Sequence, residues 1–151
     1  MIELLPAFFA ASAVVGSATA ASVSALSKSA CLRLFRPKGQ RPSVSSVLGT
    51  AVAETIIMSI SLALAFMLVA PYATPQLESK GMLFAALFSM SAAVHVTFAW
   101  LPNLYLLSRT SPGPNGSDNT LSDLIWVVVL ASLTPCALLL IALGLWSNCF
   151  R

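Results

Sequence analysis

The stretch LGTAVAETIIMSISLALAFMLVAP, residues 48–71, contains one charged side chain, Glu54. The stretch is long enough to cross a bilayer as a helix, which takes about 20 predominantly apolar residues. An acidic side chain inside such a span costs about 2.5–3.5 kcal/mol on insertion scales, and acids found there often have a function. These residues therefore predict a membrane-spanning helix that carries one unusual carboxylate.

The composition of the whole chain agrees with this prediction. Of its 151 residues, 58% are hydrophobic and 9% are charged, whereas a soluble domain usually carries about 25% charged residues. The chain is too short to hold a separate soluble domain beside a membrane bundle. The net charge of +3 is concentrated in one loop, so we expect no nucleic-acid partner. The three cysteines lack metal-binding spacing, and we interpret them as small apolar residues.

Hydropathy predicts an all-α, polytopic membrane protein with four transmembrane helices arranged as two hairpins. The spans must be helical because a lipid-exposed backbone has to satisfy its own hydrogen bonds. Glu3 stands where a signal peptide would carry a positive charge, so we expect the first span to be retained. Pro102 and Pro135 are expected to kink the third and fourth spans. The predicted spans cover residues 4–26, 47–70, 82–107 and 124–146.

Two polar loops bear on the orientation. The loop at 27–43 is basic and contains no acid, which by the positive-inside rule predicts a cytoplasmic or matrix location, with both termini on the opposite side. The loop at 108–123 is polar and rich in turn residues. Its glycosylation sequon at Asn115 favours the other orientation, but we give the basic residues more weight. These residues are Lys28, Arg33, Arg36, Lys38 and Arg41.

The first span is built almost entirely of small residues. Small side chains let membrane helices approach closely, and close packing drives much of their association. The pattern fits two arrangements equally well, the inner helix of a homo-oligomeric ring or the centre of the chain's own four-helix bundle. The small residues form two rows, one of Ser12, Gly16, Ala20 and Ser24, the other of Ala13, Ser17, Ala21 and Ala25.

Three interpretations of Glu54 are open at this point. It could be interfacial, if the helix begins close before it. It could be a structural acid that is paired inside the bundle, with Thr55, Ser59 and Ser61 close enough in sequence to share hydrogen bonds. It could also bind a proton or another ion, because desolvation favours the neutral form of a carboxyl group.

Residues 1–72 resemble the helical hairpin of the rotary ATPase proteolipids, the c subunits of F- and V-type enzymes. In that family a small-residue helix is followed by a loop with Arg near Pro, and the second helix holds one ion-carrying carboxylate. The matching features here are the small-residue helix through Gly16, the pairs Arg36-Pro37 and Arg41-Pro42, Gly49, Glu54, and Ala65-Phe66.

The resemblance implies a subunit of a proton-translocating ATPase that assembles as a ring. Glu54 would carry the proton, while Arg36 and Arg41 would contact a partner subunit. The partners would be other membrane subunits and lipid, with bound lipid expected and no other cofactor firmly implied. The mitochondrial inner membrane is the favoured location, with an endomembrane as the alternative.

The second half of the chain leaves an alternative open. Its spans contain no acid, and Thr134-Pro135 lies where a second carboxylate would be expected. The alternative is a non-catalytic accessory subunit of a large respiratory or photosynthetic membrane complex. In neither case do we expect a self-sufficient enzyme.

Two further interpretations receive less weight. The membrane-associated eicosanoid and glutathione enzymes also carry a glutamate after a basic loop, but here only Arg109 and Tyr105 are placed to hold glutathione. His95, the single histidine, could ligate haem if a partner chain supplied the second ligand. We favour a simpler role for His95, as a hydrogen-bonding partner of Ser91 or of a facing helix.

Overall fold

The computed structural model describes residues 4–35, 41–69, 80–110 and 120–149. These residues form helices joined by short turns, and no strand occurs among them, which confirms the all-α fold class. The five helices are α1 (Leu4–Phe35), α2 (Val44–Val69), α3 (Lys80–Phe98), α4 (Trp100–Ser108) and α5 (Thr120–Cys149).

Three helical segments are long and apolar enough to cross a membrane: Val44–Val69, Gly81–Phe98 and Ser122–Leu145. Their length and composition indicate an integral membrane protein. They correspond to the second, third and fourth spans expected from hydropathy. The arrangement of four spans as two hairpins stays a prediction.

The first helix is longer than expected. α1 continues through Phe35, nine residues beyond the predicted end at residue 26, so residues 27–35 are helical rather than part of a loop. This segment contains no Gly or Pro, and its Lys, Leu, Arg and Ala residues favour helix. The extension places Lys28 on a helix that packs within the bundle.

A serine cap fixes the start of α2. The backbone N–H of Ser46 donates to Oγ of Ser43 (3.2 Å), the usual bond between an N-cap side chain and the third helical residue. Because α2 therefore begins at Val44, Glu54 lies about 15 Å along the helix axis, at a rise of about 1.5 Å per residue. Glu54 is therefore about three turns from the start of α2, and it is buried inside the bundle.

The predicted third span is divided into α3 and α4 by a turn at Ala99. Pro102 has no backbone N–H, so it cannot donate to the carbonyl of Phe98 as a helical residue would. The neighbouring bonds remain, from Ala99 N to His95 O (2.8 Å) and from Asn103 N to Ala99 O (3.3 Å). The expected irregularity is therefore present and lies one turn before Pro102. By contrast, α5 continues through Pro135 without interruption.

The helices form a four-cornered bundle in which α3 and α4 together occupy one corner. α1 packs against α2 and α5, and the α3–α4 corner packs against both α2 and α5. An apolar cluster lies among α1, α4 and α5, and its members are Leu32, Leu106, Leu107, Val127 and Leu130.

The outer surface of the bundle is apolar and much of the interior is polar. One row of exposed aliphatic side chains follows α2 at intervals of four residues and consists of Val52, Ile56, Ile60 and Leu64. Charged and amide side chains, in contrast, are buried against one another at the centre. This distribution is the reverse of that in a soluble domain, where buried Lys and Glu are rare. It fits a bundle surrounded by hydrocarbon.

Candidate functional site

The centre of the bundle is a buried ion pair between Lys28 of α1 and Glu54 of α2. Both side chains have 0% relative exposure, and Lys28 Nζ donates to Oε1 of Glu54. Oε1 also accepts from Nδ2 of Asn103 (2.7 Å), and Oε2 accepts from Oγ1 of Thr134 (2.8 Å). The carboxylate therefore binds side chains from α1, α4 and α5.

Helical spacing explains how α1 reaches this site. Ser17, Ala21, Ser24 and Lys28 follow one another at intervals of three or four residues, so they lie on one face of the helix. All four are buried. The hydroxyl of Ser24 is hydrogen-bonded to that of Thr134 (2.9 Å), which extends the network back along α1. The small residues on this face let α1 approach its neighbours closely enough for Lys28 to reach Glu54.

The network compensates the desolvation of both charges. Removing an ion pair from water costs several kcal/mol per ion, which mutual attraction repays only when the geometry is good and further hydrogen bonds are made. A carboxylate has about four acceptor sites, and three are occupied by the donors described above. Asn103 is held in turn, because its Nδ2 also donates to the carbonyl of Ala99 (2.7 Å). Glu54 is thus fixed from three directions inside the chain.

Most of the predicted small-residue rows face the interior of the same chain. Ser17, Ala20, Ala21, Ser24 and Ala25 are buried. Gly16 is half-buried, and a Cβ added there would lie 3.8 Å from Cδ1 of Leu138 on α5. Of the remaining two, Ala13 is half-buried and Ser12 is exposed. These placements correspond to the intramolecular alternative, in which α1 packs within its own bundle.

Several other polar side-chain atoms are buried in the bundle without a hydrogen-bond partner among the described residues. Both ring nitrogens of His95, and the hydroxyls of Ser17 and Ser91, are buried and have no hydrogen-bond partner among the described residues. The same is true of Oδ1 of Asn103. The expected bond between His95 and Ser91 is therefore not formed. His95 has 0% exposure within the chain, and its role as a haem ligand stays a prediction.

Those other predicted contact residues that the structure describes take no part in the hydrogen bonds of Glu54. Arg41 is exposed just before α2. Arg36 and Asn115 fall outside the described residues. The guanidinium of Arg109 lies 5.1 Å from the centre of the Tyr105 ring at the end of α4, and both side chains are exposed. Within the described part of the chain, no group of three or more His, Cys, Asp or Glu side chains is placed to bind a metal.

The sequence does not predict the partners of Glu54. The basic composition of residues 27–43 predicts that Lys28 is an unopposed charge in a loop, whereas Glu54 opposes it in the structure. The overlooked signal was that Lys28 follows Ser24 by four residues on the small-residue face. Thr55, Ser59 and Ser61 instead donate to carbonyls one turn earlier on α2, as membrane-helix hydroxyls commonly do.

No family model, curated protein or solved structure matches the chain. The resemblance of residues 1–72 to rotary proteolipids therefore stays a prediction.

Proposed function

We propose that the chain is a non-catalytic, multi-pass subunit of a larger membrane assembly. In this proposal α1 is the first of four spans, the spans form two hairpins, and the connection between α1 and α2 faces the matrix or cytoplasm. The exposed basic residues at this end of the hairpin, Arg33 and Arg41, support that orientation. The apolar outer surface would contact lipid and neighbouring membrane subunits.

The single observation that carries the proposal is the closure of the Glu54 site. Three donors among the described residues, Lys28, Asn103 and Thr134, bind the carboxylate, and both members of the ion pair are fully buried. Such a network is suited to fixing the relative positions of four helices. An ion-carrying carboxylate must instead exchange its proton with a path outside the subunit.

A rotary ring subunit would require Glu54 and the small residues of α1 to face outward from the chain. A ring subunit would present Glu54 on the outer face of α2, where exposed Val52 and Ile56 lie instead. It would also use the small-residue face of α1 between copies, whereas Ala20 and Ala21 are buried within one chain. These positions favour the accessory interpretation over the rotor.

Isolation of the native assembly in a lipid-preserving polymer, followed by cryo-electron microscopy, tests the proposal. We expect one copy, or a small fixed number of copies, of this chain beside several different polypeptides. A tagged second copy should not co-purify with the untagged chain in numbers that fit a ring. A closed ring made of this chain alone would overturn the proposal and support the rotor.

The reactivity of Glu54 toward an apolar carbodiimide provides a second test. We expect little labelling of Glu54 in native membranes, because the carboxylate is buried and its oxygens accept hydrogen bonds from three side chains. The SDS-unfolded chain should be labelled fully in the same time. Peptide mass spectrometry identifies the modified residue, and Glu54→Gln supplies the background. Rapid labelling of Glu54 in the folded protein, with loss of proton transport, is the outcome expected of a rotor.

A further inference from the structure

The outer surface between α1 and α2 contains a groove of about 380 Å³. Its α1 wall lies on one helical face, and its α2 wall begins with the first residue of that helix. The lining from α1 comprises Ser22, Ala25, Leu26, Ser29 and Arg33, and Pro42, Val44, Val47, Leu48 and Ala51 complete it. Leu26 and Leu48 are 73% and 63% exposed, so the groove opens to the surroundings of the bundle.

The dimensions of the groove match one leaflet of a bilayer. Ser22 and Arg33 are eleven residues apart on α1, which corresponds to about 16 Å along the axis. The hydrocarbon core of a bilayer is about 30 Å thick, so half of it is about 15 Å. A lipid acyl chain in this groove could therefore contact the protein over most of the thickness of one leaflet.

The charge in the groove is located at one end. Arg33 lies two residues before the end of α1, at the same end of the hairpin as Val44, the first residue of α2. Arg33 forms no ion pair with any described residue. Arg41, which is exposed, directly precedes the groove residue Pro42. Below this basic end, the remaining lining is aliphatic except for the hydroxyls of Ser22 and Ser29.

From this arrangement we infer that the groove binds an anionic phospholipid of the leaflet on the basic side. Its phosphate contacts Arg33, whose guanidinium fits two phosphate oxygens at once, and an acyl chain lies against Leu26 and Leu48. Basic pockets between membrane helices at the cytoplasmic or matrix side bind such headgroups. The inference depends on the membrane location of the chain and not on the assembly that contains it.

Native mass spectrometry of the full-length chain, released from detergent with added lipid, tests this inference. Phosphatidylglycerol and phosphatidylcholine with identical acyl chains are the two probes. We expect the wild-type chain to bind one phosphatidylglycerol more tightly than phosphatidylcholine. Arg33→Gln should weaken phosphatidylglycerol binding about fivefold, the usual effect of one basic residue near an anionic headgroup, and leave phosphatidylcholine unchanged.

Two further variants distinguish a site from general attraction to charge. Arg109→Gln removes an exposed arginine outside the groove and should leave phosphatidylglycerol binding unchanged. Leu48→Trp fills the groove from an exposed position and should weaken the binding of both lipids, with helicity checked by circular dichroism. Equal binding of the two lipids by the wild-type chain would overturn the inference. Equal effects of Arg33→Gln and Arg109→Gln, or unchanged binding by Leu48→Trp, would overturn it as well.

Discussion

Replacing Lys28 with methionine should lower the free energy of unfolding by about 3–5 kcal/mol, the usual effect of removing one partner from a buried ion pair. Methionine is an unbranched side chain only one heavy atom shorter than lysine, but it leaves Glu54 without its cation. The carboxyl group must then remain charged in an apolar interior or take up a proton. The measurement is unfolding in mixed micelles as the fraction of SDS rises, followed by circular dichroism.

The double variant Lys28→Met/Glu54→Gln makes this prediction specific to the pair. The glutamine carbonyl oxygen can accept from Asn103, and its amide N–H can donate to the hydroxyl oxygen of Thr134, which can still donate to Ser24. No charge is left unpaired, so we expect the double variant to recover most of the lost stability. Arg33→Met is the matched control, because it removes an exposed cation five residues later on the same helix. The ion pair does not hold the bundle together if the losses of stability caused by Lys28→Met and by Glu54→Gln simply add in the double variant. The same conclusion follows if Arg33→Met is as destabilising as Lys28→Met.

The identity of Glu54 as the unusual residue was predictable, but its partner was not. A lone acid in an apolar run is visible at once in the sequence. The pairing of Lys28 could not be predicted because Lys28 lies in a segment with four other basic residues, and the composition of that segment predicts a loop. Only the continuation of α1 to Phe35 brings it into the bundle. A helix end is set by weak local preferences, and hydropathy ends the predicted span at residue 26, nine residues before the helix itself ends.

Asn103 illustrates a second limit of the sequence. It follows Pro102 near the end of an apolar segment, where an amide is unremarkable. Its position on Glu54 depends on the turn at Ala99 and on the packing of α4 against α2. Pairings between helices that are 49 residues apart in sequence are a property of tertiary packing, and no local pattern encodes them. The small-residue rows show the same limit, since they predicted close packing without identifying the neighbouring helix.

The position of those rows leads to the second large expected effect, from Ala21→Leu. Ala21 has 0% exposure on the face of α1 that carries Ser17 and Lys28. Extra methylenes in a well-packed interior usually cost about 1–3 kcal/mol, because neighbouring side chains or the backbone must shift. Because Ala21 lies on the face of α1 that carries Lys28, we expect the shift also to lengthen the contact between Lys28 and Glu54. We therefore expect a loss at the upper end of that range, measured by the same SDS titration.

Matched substitutions at exposed positions of α1 show whether the small residues pack within one chain or between chains. Ala30→Leu and Ser12→Leu add bulk at exposed positions of the same helix, so each should change the free energy of unfolding by less than about 0.5 kcal/mol. If α1 instead lined the inside of a ring, added bulk on its outward face would disrupt contacts between copies. Loss of assembly with Ser12→Leu, alongside normal assembly with Ala21→Leu, would mean that the small residues pack between chains. The opposite result, which we expect, would assign them to the bundle that holds Glu54 against Lys28.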